Sequence, residues 1–202
     1  MNIGILVSGR GSNMAAILDA IQSGDLNVNV SLVLSNNPQS PALRRAAREN
    51  IPTKVVNHRD YGKNREAFEA ALDAALRAKG VDCVVLAGFM RVLTPFFVRR
   101  WRERLINIHP SLLPAFRGLH AQRQALEAGV KLAGCTVHFV DEGTDTGPII
   151  AQSVVPVLDT DSEDTLSARI LAEEHKLLPL VLHWLAGGRI SIENNRVRIA
   201  QA

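Results

Sequence analysis

The 202-residue sequence has few aromatic residues, two cysteines and no long hydrophobic run. Because aromatic residues make up only 4%, there is no stacking platform for single-stranded nucleic acid, and the basic run at residues 99–104 is interpreted as the solvated face of a helix. Cys83 and Cys135 each lie in an apolar stretch, which favours buried free thiols over a disulfide or a metal site. No stretch approaches the roughly 20 apolar residues of a membrane span, and the N-terminus lacks the pattern of a signal peptide. We therefore expect a cytoplasmic protein with no metal and no nucleic-acid or membrane partner.

The remaining composition, 47% apolar and 21% charged, has the balance of one globular domain with a sizeable core. The net charge of +3 is mild, and a small anionic substrate explains it as well as a larger partner does. Since there is no internal repeat, low-complexity stretch or proline-rich linker, we predict a single domain over residues 1–202. The sequence leaves the oligomeric state open.

Apolar runs of strand length alternate with segments of helical period in the first half of the chain. This alternation is typical of βαβ units that build a parallel sheet with helices on both faces. Strands are predicted at 3–7, 28–34, 53–56, 83–86 and 105–108, and helices at 14–22, 41–48, 64–79 and 95–101. The expected fold class is therefore α/β, with a doubly wound, mostly parallel sheet and a Rossmann-like N-terminal half.

The second half of the chain has a different pattern. Strand-like runs at 135–140 and 149–157 flank the polar segment DEGTDTG, which predicts an antiparallel hairpin that extends the sheet. A long helix is predicted to begin after Ser162, where SEDT resembles a capping box, and to end near Leu185 before two glycines. A last hairpin is predicted from 189–192 and 196–199.

The motif GRGSNM at residues 9–14 follows the first predicted strand and opens a helix. The backbone N–H groups of such a turn form an anion site together with the helix N-terminus. The third glycine of the dinucleotide fingerprint is replaced by Met14, and the second strand ends in SNNPQ without an acidic residue. The residues thus predict a site for one phosphate, held by Gly11, Ser12 and Asn13. A tight turn capped by Ser12 or Asn13 explains the motif equally well.

A second motif, NIHPSLLP, places Asn107 and His109 two residues apart at the end of a predicted strand. An extended chain directs both side chains to the same side. A carboxamide can donate to a carbonyl oxygen that becomes negative, and an imidazole can handle a proton, as acyl-type transfer requires. A carboxylate beside the imidazole favours its charged form, and Asp145 in DEGTDTG is the candidate. Taken singly, a histidine before proline and an aspartate in a glycine turn are each more often structural.

Taken together, five segments resemble the phosphoribosylglycinamide formyltransferases, which use 10-formyltetrahydrofolate as co-substrate. The segments are ILVSGRGSN, VVLAGFMRVLTPFFV, LINIHPSLLPAFRGLHAQRQALEAG, GCTVHFVDEGTDTGPIIAQ and AEEHKLLP, and the resemblance covers nearly the whole chain. It implies a formyltransferase fold and transfer of a formyl group to the primary amine of glycinamide ribonucleotide in purine biosynthesis. Separately, no set of His, Cys and carboxylate residues has the spacing of a zinc site, so no metal is predicted.

The resemblance also implies roles for individual residues. Asn107 and His109 would act on the formyl group, with His109 as general acid, while Asp145 would keep His109 charged and relay protons through water. The ribonucleotide would be bound by Gly11, Ser12, Asn13, Leu171, Ala172, Glu173 and Glu174, with the phosphate on the first three and the ribose on Glu174. The folate would be bound by Arg65, Met90, Arg91, Val92, Leu93, Asn107, Asp141, Glu142, Gly143, Thr144 and Asp145, with its glutamate tail on Arg65.

Other functions stay open at this point. Methionyl-tRNA formyltransferases and folate-dependent hydrolases share the Asn, His and Asp set, but the former are expected to carry a C-terminal module and the latter an N-terminal regulatory segment. A nucleotide-binding module without catalysis would use the glycine turn alone. His138 is interpreted as an interior histidine, with a secondary role near the site left open, and His120 and His175 have no assigned role.

Overall fold

The computed structural model describes residues 1–201, in which strands and helices alternate. The chain divides into two compact units, the first from Met1 to Asn107 and the second from Ile108 onwards. The boundary falls within one strand, Leu105–His109. A single domain over the whole chain stays a prediction.

The first unit alternates strands and helices in chain order. Its strands are β1 (Asn2–Val7), β2 (Asn29–Ser35), β3 (Thr53–Val55), β4 (Cys83–Leu86) and the first part of β5 (Leu105–His109). Its helices are α1 (Ser12–Gln22), α2 (Pro41–Arg48), α3 (Arg65–Ala78) and α4 (Pro95–Arg100), with a 3-10 helix at His58–Tyr61. In α3, the buried residues Phe68, Leu72, Ala75 and Leu76 recur at helical spacing, so one face of the helix packs on the core.

The second unit contains a β-hairpin and a long helix. After α5 (Ala121–Glu127), β6 (Leu132–Phe139) and β7 (Ile149–Pro156) pair antiparallel. Helix α6 (Glu163–Ala186) begins after Ser162, whose side chain accepts from the backbone N–H of Thr165 in the predicted capping box, and Gly187 follows its last residue. The strands β8 (Ile190–Glu193) and β9 (Arg196–Ile199) form a separate two-stranded sheet.

The main sheet has the strand order β3-β2-β1-β4-β5-β6-β7. The pairs β1–β2, β1–β4, β2–β3 and β4–β5 are parallel, and β6 with β7 is antiparallel. The predicted α/β class, with a mostly parallel sheet and an antiparallel extension, is confirmed. The chain order reverses between β1 and β4, and the carboxyl ends of strands at such a reversal are where open α/β sheets bind ligands.

The predicted bounds of β4 and α2 are the observed ones, and most other predicted ends differ by a few residues. The prediction missed α5 and the 3-10 helix. Helix α5 is short and begins after His120, whose φ is 59°, with no side-chain cap and no acidic residue in its first turn. The usual start signals of a helix are therefore absent from the sequence.

The basic run at 99–104 is only partly a solvated helix face, which corrects the prediction. Helix α4 ends at Arg100, and the next residue, Trp101, is 1% exposed. The Arg104 guanidinium lies 5.0 Å from the centroid of the Trp101 ring, and Arg100 donates to Asp73 at 2.9 Å. Two of these arginines thus stabilise packing within the first unit.

The two cysteines are free and buried, as predicted. Burial raises the pKa of the Cys83 thiol to about 12, and burial together with the nearby Glu174 raises the pKa of Cys135 to about 12. Both side chains therefore stay protonated and act as small apolar groups. Within residues 1–201, no helix has the length and apolarity needed to cross a membrane.

Asp161 anchors the start of α6, and this predicts a pH-dependent stability. Its carboxylate accepts from Arg169 at 2.7 and 2.8 Å and from the backbone N–H of Leu158 at 2.7 Å, contacts that hold its pKa well below the ordinary value of 3.8. A depressed folded pKa contributes stability above the unfolded pKa, and that stability is lost as the pH falls below it. Asp161→Asn should therefore lower Tm at pH 7 and lower it less at pH 3, as thermal melts would measure. An equal difference at both pH values would contradict this role.

Candidate functional site

A cavity of about 620 Å³ lies in the first unit, at the carboxyl ends of β1 and β4. Residues 8–13, 36–39 and 57–59 line it, with Ala87, Gly88 and Met90. The lining includes Arg10, His58 and Arg59 but no acidic residue. Its charge therefore favours an anionic ligand.

The glycine turn forms one wall of this cavity. Gly11 has a φ of 73°, and a Cβ at this position would lie 2.5 Å from the Cβ of Ala42, so a side chain here meets both strain and a clash. The N-cap position of α1 is Gly11, so neither Ser12 nor Asn13 occupies the cap position of the alternative reading. The first backbone N–H groups of a helix have no intrahelical acceptor, and the first turn of α1 carries no acidic side chain. The turn can therefore hold a phosphate.

The predicted folate residues of the first unit also lie together. After β4 the chain runs through Met90 and Val92, whose side chains are 74% and 70% exposed. The guanidinium of Arg65, the first residue of α3, donates to the carbonyl of Val92. Arg65, which is predicted to meet the glutamate tail, is thus in contact with the segment that is predicted to line the folate site.

Asn107 and His109 both lie on β5. Asn107 is half-buried and pairs in register with Leu86 of β4, while His109 is 5% exposed at the last position of the strand. The two polar residues predicted from the motif therefore lie at the carboxyl end of β5.

The second unit brings His109 and Asp145 together. The His109 Nδ1 atom lies 3.5 Å from Asp145 Oδ2, and Nε2 lies 2.9 Å from the carbonyl oxygen of Phe116. A carbonyl only accepts, so Nε2 carries a proton, and Nδ1 faces a carboxylate that also only accepts. Both ring nitrogens of His109 thus face acceptors, and the Nε2–H group is the donor to the Phe116 carbonyl.

Asp145 does not form the turn on which it lies. Asp141 performs that function, since its Oδ1 accepts from the Gly143 N–H at 3.1 Å and from the Thr146 hydroxyl at 2.6 Å. Asp145 has a φ of 52°, and its Oδ2 accepts from the Gly118 N–H at 2.8 Å. Its carboxylate is therefore fixed toward His109 rather than engaged in the turn.

His138 lies on the other side of the same carboxylate, which the sequence could only leave open. Its Nε2 is 3.8 Å from Asp145 Oδ1, and its Nδ1 donates to the Phe139 carbonyl at 2.8 Å. Burial lowers the pKa of His138, although the Phe139 carbonyl and Asp145 act in the opposite direction. The ring is 2% exposed and neutral, so it is an interior histidine that also borders the charged pair.

The predicted ribonucleotide wall lies on α6. Glu174 is buried at 6% exposure, while Glu173 accepts from the Ser153 hydroxyl and from Lys176, each at 2.7 Å. These partners, Lys176 first, lower the pKa of Glu173. The two neighbouring carboxylates thus differ in burial, and Glu173 is bonded to Ser153 and Lys176. Within residues 1–201, no three or more His, Cys, Asp or Glu side chains form a group that could hold a metal ion.

Comparisons with known proteins place these sites in context. The model of the formyl transferase family matches residues 1–182. The Escherichia coli (strain K12) protein named phosphoribosylglycinamide formyltransferase is 45% identical over 195 residues, which are 96% of this chain and 92% of that protein. The crystal structure of glycinamide ribonucleotide transformylase 1 from Symbiobacterium toebii superposes with a TM-score of 0.96 at 49% identity, covering 100% of this chain and 94% of that one.

Longer animal proteins also match. The Drosophila melanogaster protein named trifunctional purine biosynthetic protein adenosine-3 is 51% identical over 188 residues, which are 92% of this chain and 14% of that protein. This chain spans 14% to 19% of the length of the six animal relatives with that name.

Proposed function

The chain belongs to the formyl transferase family, among the phosphoribosylglycinamide formyltransferases, and from this membership we propose that it transfers the formyl group of 10-formyltetrahydrofolate to the primary amine of glycinamide ribonucleotide. The products would be formylglycinamide ribonucleotide and tetrahydrofolate, in de novo purine biosynthesis. The observation that carries the proposal is the pair of His109 and Asp145, because it places an imidazole beside a carboxylate at the end of β5.

The proposed reaction is a direct transfer through a tetrahedral intermediate. The amine nitrogen attacks the formyl carbon, which forms a C–N bond and turns the formyl oxygen into an oxyanion. The Asn107 amide and the Nε2–H group of His109 would stabilise this oxyanion. When the intermediate collapses, the bond to N10 of the folate breaks, N10 takes up a proton, and the proton of the attacking amine leaves through water and Asp145. No covalent bond to the enzyme is needed.

The ribonucleotide residues are part of the same proposal. Gly11, Ser12 and Asn13 would bind the phosphate through backbone N–H groups, which the acid-free cavity lining supports. Glu174 would accept from the ribose hydroxyls, with Leu171, Ala172 and Glu173 beside it. Glu173 itself accepts from Lys176 and from the Ser153 hydroxyl.

The family implies a folate-type formyl donor, and we propose 10-formyltetrahydrofolate as that donor. Met90, Arg91, Val92 and Leu93 would receive the ring largely through main-chain groups, and Arg65 would meet the glutamate tail. The loop of Asp141, Glu142, Gly143, Thr144 and Asp145 would also contact the folate. Family members act on small molecules, and a cytoplasmic location belongs to the proposal.

An amine-acceptor assay tests the proposed function. Purified protein with 10-formyltetrahydrofolate should change the folate absorbance only when glycinamide ribonucleotide is present, and mass spectrometry should find the formylated ribonucleotide. Turnover without the acceptor would indicate a hydrolase instead. No turnover with both substrates would contradict the proposal.

A further inference from the structure

The segment from Met90 to Thr94, here the 90–94 loop, combines exposed side chains with a fixed backbone. Met90 and Val92 are among the most exposed large apolar residues of the described chain. A loop with such side chains has little burial to hold it in place. Polar side chains from elsewhere in the first unit nevertheless contact its backbone at both ends and in the middle.

Ser8 holds the first end of the loop. Its hydroxyl accepts from the backbone N–H of Met90 at 2.8 Å and donates to Asn36 Oδ1 at 2.7 Å. Since a hydroxyl has one proton, the bond to Asn36 leaves the lone pairs of Ser8 for the Met90 amide. Asn36 is 6% exposed, so the hydroxyl is oriented by a buried group.

Glu69 holds the other end. It lies on α3 and is 1% exposed, and its two carboxylate oxygens accept from the backbone N–H of Thr94, at 2.9 Å, and from the Thr94 hydroxyl. A buried carboxylate is costly unless it is hydrogen-bonded, and both of its oxygens are bonded to this single loop residue. The Glu69 carboxylate therefore holds Thr94, and no other residue of the loop, through hydrogen bonds.

The same face of α3 also contacts the middle of the loop. Arg65 donates to the Val92 carbonyl, and the Arg91 guanidinium lies 5.6 Å from the centroid of the Phe68 ring. Arg65, Phe68 and Glu69 are spaced at i, i+3 and i+4, so they share one side of the helix. One helix thus sets the path of the loop from Arg91 to Thr94.

We propose that Ser8 and Glu69 are positioning residues for the formyl folate. They do not touch the ligand but fix the backbone N–H and carbonyl groups of the 90–94 loop that would receive its ring. This inference rests on the proposed function. A backbone held in its binding conformation before the ligand arrives loses less entropy on binding, so these residues act on folate affinity and not on the chemical step.

Variants at Glu69 test the proposal. Glu69→Ala should raise the KM for 10-formyltetrahydrofolate about tenfold and leave the KM for glycinamide ribonucleotide and kcat nearly unchanged. Glu69→Gln should restore most of the affinity, since its carbonyl can accept from the Thr94 N–H while its amide donates to the hydroxyl. Ser8→Ala removes the other anchor without a change in backbone and should raise the same KM.

Asp73→Ala is the matched control. Asp73 is also a buried carboxylate on α3, but it pairs with Arg77 and Arg100, each at 2.9 Å, and not with the loop. Its loss should lower Tm without raising the KM for the folate. An equal rise in Asp73→Ala and Glu69→Ala would show a general stability effect and overturn the proposal, as would an unchanged KM in both Glu69→Ala and Ser8→Ala.

Amide hydrogen exchange gives a readout that needs no activity. The amides of the 90–94 loop should exchange faster in Glu69→Ala than in the unsubstituted protein and Asp73→Ala. Unchanged exchange would overturn the anchoring itself. If the unsubstituted protein transfers no formyl group, the proposed function fails and the folate role fails with it, while faster exchange in Glu69→Ala alone would still support the anchor.

Discussion

Replacing His109 with alanine is expected to lower kcat for formyl transfer by about 10²–10⁴-fold, the usual contribution of a general acid. The imidazolium is the group whose proton would stabilise the formyl oxygen as it becomes negative, and an alanine has no proton to give. Steady-state kinetics with both substrates would measure the loss. Because the change removes an interaction made in the transition state, the KM values should move much less than kcat.

His183→Ala is the matched control for this variant. His183 is an exposed histidine on α6 of the same unit, and its removal should leave kcat unchanged. If His109→Ala retained turnover close to that of His183→Ala, His109 would not be the acid.

Asp145→Asn is expected to lower kcat by about 10²-fold, because it removes the carboxylate that lies 3.5 Å from His109 Nδ1 and is proposed to relay the proton. The amide oxygen can still accept from the Gly118 N–H, so the loop keeps its path. Steady-state kinetics with both substrates would measure the loss, and an unchanged kcat would contradict a role for the Asp145 charge.

The double variant with His109→Ala and Asp145→Asn tests whether the two residues act together or independently. If Asp145 acts through His109, adding Asp145→Asn to His109→Ala should cost little beyond His109→Ala alone. Losses that multiply would contradict the pair and would assign Asp145 a separate task, such as proton relay without help from His109.

The Asp145 carboxylate lies close to the rings of both His109 and His138, but the two rings have different surroundings. Burial lowers the pKa of His138, which favours its neutral form, even though its Nδ1 donates to the Phe139 carbonyl. Two adjacent imidazolium rings would repel each other, and a neutral His138 avoids this. The charge of Asp145 is therefore available to His109.

Much of the fold could be predicted because buried parallel strands have continuous apolar runs. The strand β4 and the proline-started helix α2 have both a clear pattern and clear ends, and their bounds were predicted as observed. The signals fail where a helix begins without a cap, as in α5 after His120. Such starts are fixed by tertiary packing, which the local sequence does not record.

The candidate site could likewise be predicted only in part. Motif and spacing pointed to His109 and Asp145, although their distance of 3.5 Å could not be derived from positions 36 residues apart. Glu69 had no such signal, since a glutamate in a helix is usually solvated. Its partner Thr94 is 25 residues away, so only the fold reveals that the carboxylate is buried.

The main-chain carbonyl of Phe116 accepts a hydrogen bond from the Nε2–H group of His109 before any substrate is bound. In the proposed reaction the formyl oxygen must displace this carbonyl, which exchanges one neutral acceptor for another of similar strength. The exchange becomes favourable only when the incoming oxygen turns anionic, because charged acceptors form stronger hydrogen bonds. The resting contact would thus cancel most of the benefit that the ring offers to the bound substrate and leave its full effect for the transition state.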